Sequence, residues 1–283
     1  MTHAIRGALA PLVISRRAGR ASLAALLALL AWTSQAQIAH AQISVVGSSV
    51  EEHTASTGER YDGSVLVRNS DSKPHSVRVY QSDYSFFADG TSHFDDPGST
   101  PRSNARWIKP SVSTLVVPPA SDVAVTYVVT VPAADTLRGT YWSALMIEGE
   151  VIPPAAAGAR QIGLGSVIRY AVQIATHLQA TGTRKVRLSN QRFVTDSAGN
   201  HSFDVDVANV GERAYRPSLW VELYDDAGAQ RAKVQQQRGL LYPGTSLVQH
   251  FALGNLPAGS YKAVVFADTG DDEVVAAQYK IVF

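Results

Sequence analysis

The chain contains no cysteine and only two methionines in its 283 residues. Without thiols there is no disulfide staple, no thiolate nucleophile and no cysteine-held zinc, so each domain must be held by its own apolar core. Charge is also sparse: Asp, Glu, Lys and Arg make up 17% against 45% hydrophobic residues. That balance is globular and not disordered. Motifs of chemistry are missing as well. No Gly-x-Ser-x-Gly, P-loop or His-Glu-x-x-His occurs, and the eight histidines show no ligand spacing. The sequence reads as that of a protein that is not an enzyme and needs no cofactor or metal.

What is present begins with a leader. Arg6, Arg16, Arg17 and Arg20 precede an apolar stretch of Ala and Leu at residues 21–32, too short to cross a bilayer as a helix. Ala39-His40-Ala41 supplies a small-x-small cleavage site. Residues 1–41 are expected to be a signal peptide, with the mature chain starting at Gln42; an uncleaved anchor is the alternative. Ser15-Arg16-Arg17 carries a weak twin-arginine signal. The whole chain has 25 Lys and Arg against 24 Asp and Glu. The leader takes four arginines and no acid, so the mature chain has 21 against 24, a net of −3. No basic stripe remains, which argues against nucleic acid and against anionic lipid as partners. No membrane span is expected after cleavage, and the expected location is the periplasm, with the cell surface open.

Beyond residue 42 no helical periodicity appears. Short runs rich in Val, Ile, Tyr and Thr alternate with Gly, Pro, Asn and Asp clusters. The expected strands are residues 43–50, 63–68, 75–80, 114–117, 123–131, 141–148 and 166–178, then 185–193, 202–208, 219–224, 246–253, 259–267 and 273–283. Val123, Val125, Tyr127, Val129 and Val131 share one face by strict alternation. Residues 149–165 form a long Pro-, Ala- and Gly-rich loop, and Thr181-Gly182-Thr183 reads as a linker. The expected fold class is all-β: two tandem immunoglobulin-like β-sandwich domains after a signal peptide, at residues 42–180 and 184–283.

Several stretches carry a family pattern. Val65-Leu66-Val67-Arg68-Asn69 followed by residues 76–80 forms a strand pair around an Asn turn. Trp107-Ile108 leads to Leu115-Val116-Val117-Pro118-Pro119. Val131-Pro132-Ala133-Ala134-Asp135 leads to Tyr141-Trp142-Ser143-Ala144-Leu145, Glu148 and Ile152-Pro153-Pro154. Over residues 43–178 this resembles the periplasmic pilus-assembly chaperones of the PapD type. The resemblance implies strand addition, in which the last strand of the first domain pairs with an incomplete secreted, pilin-like subunit, with an outer-membrane usher as a further partner. The corresponding strand is residues 166–178. Ile168, Tyr170, Val172 and Ile174 form its apolar row, with Arg169 on the other face. That row faces either a partner or the domain's own core, burial being the default for such side chains. The family also holds a subunit's terminal carboxylate with a basic pair, one member on the first strand. Residues 43–50 contain no Arg or Lys, so this sequence departs from the pattern there.

Other features weigh less. Asp95-Asp96, Asp204 with Asp206, Asp225-Asp226 and Asp268 with Asp271, Asp272 and Glu273 are acidic turns without a calcium-loop pattern. Trp107, Trp142 and Trp220 read as core or seam aromatics sooner than a sugar platform. Phe86-Phe87 is the best candidate for an exposed contact loop. The functional expectation is a periplasmic chaperone-like protein binding secreted or fimbrial subunits by strand addition. The alternatives are a structural or adhesive cell-envelope protein and, behind it, a carbohydrate-binding protein.

Overall fold

The computed structural model describes residues 42–150, 167–271 and 274–282. Nearly all of the regular structure is strand; a single 3-10 turn, Ala105–Trp107, is the exception among these residues. The first ten strands are β1 (Ile43–Val46), β2 (Val50–Ala55), β3 (Arg60–Asn69), β4 (His75–Phe86), β5 (Ser92–Asp95), β6 (Ile108–Pro110), β7 (Thr114–Val117), β8 (Ser121–Thr130), β9 (Thr140–Gly149) and β10 (Arg169–Leu178). They form a sheet of order β1-β3-β8-β6 facing a sheet of order β2-β10-β9-β4-β5, with β7 also paired to β4. The next seven are β11 (Val186–Thr195), β12 (His201–Asn209), β13 (Ser218–Asp225), β14 (Gln230–Gln237), β15 (Ser246–Gly254), β16 (Ser260–Asp268) and β17 (Val274–Val282). They form sheets of order β11-β12-β15 and β14-β13-β16-β17.

Alternation builds both cores. Val125, Tyr127, Val129 and Val131 are buried, with Val123 packed beside them, as period-2 spacing requires. In β12, β13 and β16 the inward residues Val205, Val207, Leu219, Val221, Leu223, Ala263 and Val265 are fully buried. Each of the Val and Leu side chains contributes roughly 1.5 to 3 kcal/mol relative to exposure. Both sandwiches close one turn, after β3 in the first and after β12 in the second, with a buried asparagine. Asn69 Nδ2 donates to the carbonyls of Lys73, Val117 and Pro118, while its Oδ1 accepts from Asp71 N–H. Asn209 Nδ2 donates to the carbonyls of Arg213 and Leu241, and its Oδ1 accepts from Gly211 N–H.

The departures from expectation have local causes. Residues 43–50 form two strands, not one. The chain turns at Gly47, where φ is +104°, so β1 pairs with β3 in one sheet and β2 with β10 in the other. β14 reads QRAKVQQQ, too polar for a hydrophobic pattern to mark, and it is an edge strand whose outward residues need no apolar partner. Between the sandwiches the backbone passes so closely that Gly139 and Gly182 have no room for a Cβ. There Thr183 carbonyl accepts from the N–H groups of Glu212 and Arg213, and Thr140 N–H donates to Glu212 carbonyl.

Candidate functional site

β10 is paired along its whole length on one side and along half of it on the other. Antiparallel to β9, it is in register from Arg169 opposite Glu148 to His177 opposite Thr140. The parallel pairing with β2 begins only at Gln173 opposite Val50. Gln173 N–H donates to Ser49 carbonyl at 2.9 Å, whereas Ile168 carbonyl accepts from Gly149 N–H on the β9 side at 3.1 Å. Backbone groups alternate sides along a strand. The N–H and C=O of Ala171 and Arg169 therefore point to the edge that β2 leaves open, and among the described residues they meet no strand there. The opening exists because the chain switches sheets between β1 and β2. Ser48 Oγ, bonded to Val50 N–H and C=O, fixes where β2 begins.

The five residues singled out by the sequence fall in different surroundings. Val172 and Ile174 are each 1% exposed within the core of their own sandwich, so they present no surface to a partner while the sandwich stays closed. Tyr170 is half-buried against that core, and its hydroxyl donates to Ile43 carbonyl at 2.9 Å. Ile168 is half-buried and precedes the strand. Arg169 lies on the outer face, its Nε donating to Glu148 at 2.7 Å. Ser166 and the loop at 151–165 lie outside the described residues.

On the side of β10 away from that edge, the outer face of β10, β9, β4 and β5 forms a groove of about 560 Å³, lined in part by Tyr80, Phe94, Met146, Arg169 and Ala171. Glu148 anchors one side. Burial pushes its pKa up, but hydrogen bonds from Tyr80, Arg169 and Arg78 outweigh that and hold it below the ordinary value. At the other side Asp83 is fully buried at the foot of the loop after β5. It accepts from the N–H groups of Gly98 and Thr100 and from the hydroxyls of Ser99, Thr100 and Ser103. Burial raises its pKa too, and these donors reverse the shift, so it remains ionised.

The far end of β10 runs into a crevice of about 350 Å³ against the second sandwich. His177 Nδ1 pairs with Thr140 Oγ1 at 2.9 Å, and that oxygen also accepts from Ala214 N–H. His177 Nε2 meets Glu52 at 3.1 Å, and Glu52 also accepts from Arg216. Burial lowers the His177 pKa, against the raising effect of Glu52. Arg184 pairs with Asp271 at 3.0 Å. Arg213 donates instead to the carbonyls of Leu178 and Thr181. Burial and the charge of Arg184 lower its pKa. Beyond the crevice Trp142 stacks on Tyr242 with ring centroids 4.6 Å apart, and its Nε1 donates to Tyr84 carbonyl. Leu240, Ala214 and Ala175 complete a buried seam. This arrangement holds two sandwiches together and neutralises most of its own charge. Residues 43–50 supply no basic group, and the arginines of the crevice come from the second sandwich, two of them three apart in the turn after Asn209.

Among the described residues no group of three or more His, Asp or Glu is placed to hold a metal ion, and no helix is long and apolar enough to cross a membrane.

The fold is all-β, with two tandem sandwiches and a first strand that switches between sheets. In structure the chain is similar to PapD-like fimbrial chaperones. The class 5 fimbriae chaperone CfaA aligns at 10% identity and a TM-score of 0.44, covering 83% of this chain and 98% of that one. The chaperone–tip adhesion subunit complex CsuC–CsuE of Acinetobacter baumannii aligns at 10% identity and 0.41, covering 83% and 98%. The Salmonella enterica SafB chaperone complex with SafA pilin aligns at 12% identity and 0.39, covering 85% and 96%. No protein-family model matches the chain, and no curated protein matches it in sequence.

Proposed function

We propose that the protein is a periplasmic chaperone-like binder that takes an extended segment of a secreted or fimbrial subunit onto the open edge of β10, for delivery to an outer-membrane usher. The observation that carries this reading is the half-paired strand: Ala171 and Arg169 offer backbone donors and acceptors on the side of β10 that β2 leaves open. Main-chain bonds along such an edge give affinity, and the alternate side chains of the added strand give selection. The subunit's terminal carboxylate has no role here. Glu52 occupies Arg216, Asp271 occupies Arg184, and Arg213 is held by the carbonyls of Leu178 and Thr181, so each guanidinium of the crevice already has a partner within the chain.

The test uses a labelled synthetic peptide of alternating Val and Thr, prepared as free acid and as C-terminal amide. Both forms are expected to bind alike. Ala171→Pro removes one edge-facing N–H without touching the β9 ladder, and is expected to abolish binding while leaving thermal unfolding in place. Undiminished binding by Ala171→Pro contradicts strand addition at this edge. A second reading, a structural cell-envelope protein, is favoured by one observation: Val172 and Ile174 are spent on the protein's own core.

A further inference from the structure

The second sandwich carries its own open edge. β17 pairs with β16 and with no other strand among the described residues. Three of its valines are exposed: Val274 at 49%, Val275 at 39% and Val282 at 68%. Long edges with apolar ends are what proteins ordinarily blunt, and here the only charge along the strand is Lys280.

The sequence of β17, VVAAQYKIV, is complementary to itself about Gln278. In a two-fold antiparallel pairing centred there, Val274 lies opposite Val282 of the partner subunit, and Val275 opposite the partner's Ile281. The small Ala276 meets the long Lys280, and Ala277 meets Tyr279. The two Gln278 amides face one another. Large opposes small at the pairs flanking Gln278, β-branched opposes β-branched at each end, and every pair but the central one occurs twice, as an isologous interface requires. The two lysines stand four residues apart along the interface, roughly 13 Å, so their charges do not oppose.

Lys280 supplies an independent indication. Within its own sheet it sits directly opposite Lys262, an unfavourable like-charge pair. Lys262 lies over the Tyr224 ring, and no carboxylate among the described residues is within ion-pair reach of Lys280. Phe266 stacks on Trp220 on one side, with centroids 4.8 Å apart. On its other side the residue directly opposite is Ala276, with only a methyl. The paired arrangement sets the partner's Lys280 beside that methyl, in the row that continues Trp220 and Phe266, where its ammonium gains an aromatic neighbour.

We infer that β17 is a homodimer interface, joining two four-stranded sheets into one continuous sheet about a two-fold axis at Gln278. Sedimentation equilibrium of the full chain from about 1 to 100 μM is expected to show a monomer–dimer equilibrium. Ala276→Glu places a carboxylate opposite each partner lysine and is expected to tighten the dimer by up to about tenfold, two favourable cross-strand pairs being gained. Ala276→Lys is expected to weaken it by a similar factor. Val282→Lys, at a site already largely exposed, is expected to give monomer with unchanged thermal unfolding. A wild-type chain that stays monomeric at 100 μM overturns the inference. So does an equal response to Glu and Lys at position 276, and so does a dimer that survives Val282→Lys.

Discussion

The two sandwiches use one closing device and two different edges. Asn69 and Asn209 sit at the same place in their folds and make the same kind of bonds, although the turns they close, Asn-Ser-Asp-Ser-Lys and Asn-Val-Gly-Glu-Arg, share little else. The outer faces diverge. In the first sandwich β9 and β10 present Trp142 and Ala175, which the second sandwich covers. In the second, Trp220 and Phe266 on β13 and β16 remain only partly covered. The fold thus fixes turns and cores by common rules and leaves sheet edges and outer faces free to differ. On the function proposed above, the half-open edge of β10, and not its core row, is the part of the first sandwich offered to a partner strand.

That comparison breaks most sharply in the core of β10. Ile174→Asp buries a charge without a partner and is expected to unfold the first sandwich, a loss above about 4 kcal/mol; Ile174→Ala is expected to cost roughly 2 to 4 kcal/mol by urea unfolding. If Ile174→Asp folds normally and loses only peptide binding, the row faces outward and the division between core and edge is wrong. Next come the paired asparagines. Asn69→Ala and Asn209→Ala each strand several buried carbonyls, and each is expected to cost about 2 to 3 kcal/mol. Costs that differ by more than a factor of two would show that the devices are alike only in outline.

Acid separates two further regions, with smaller effects. Asp83 has its pKa held below the ordinary 3.8, so its contribution is complete above that value and is lost as pH falls below it. Asp83→Asn is expected to flatten the acid limb of a stability profile there. His177 is also depressed, from 6.5, but it is a base held neutral. Its contribution is full above pH 6.5 and declines as pH drops through that value, because the unfolded chain takes up the proton first. His177→Gln is expected to remove the slope just below pH 6.5 and leave the Asp83 limb intact. A single slope that responds equally to both changes would tie the crevice and the loop into one unit.

Much of the fold was legible because alternation is a strong signal where one face is buried. The run from Val123 to Val131 and the strands of the second sandwich stand close to where the pattern put them. The polar β14 gave no such signal, and neither did the short exposed β5. The candidate site was half legible. The sequence marked β10 as the candidate strand, but periodicity cannot say which face is inward. The apolar row of Tyr170, Val172 and Ile174 turned out to face home. The open edge depends on where β2 starts to pair, a matter of register and of the turn at Gly47 that no single residue announces.

Amide hydrogen exchange, read residue by residue along β10, tests the central claim most directly. In the free protein the amides of Arg169 and Ala171 should exchange quickly while those of Tyr170 and Val172, bonded to β9, exchange slowly; addition of the alternating Val/Thr peptide should slow the first pair alone. Slow exchange at Ala171 before any peptide is added, or no change after it, would contradict an edge kept open for a partner strand.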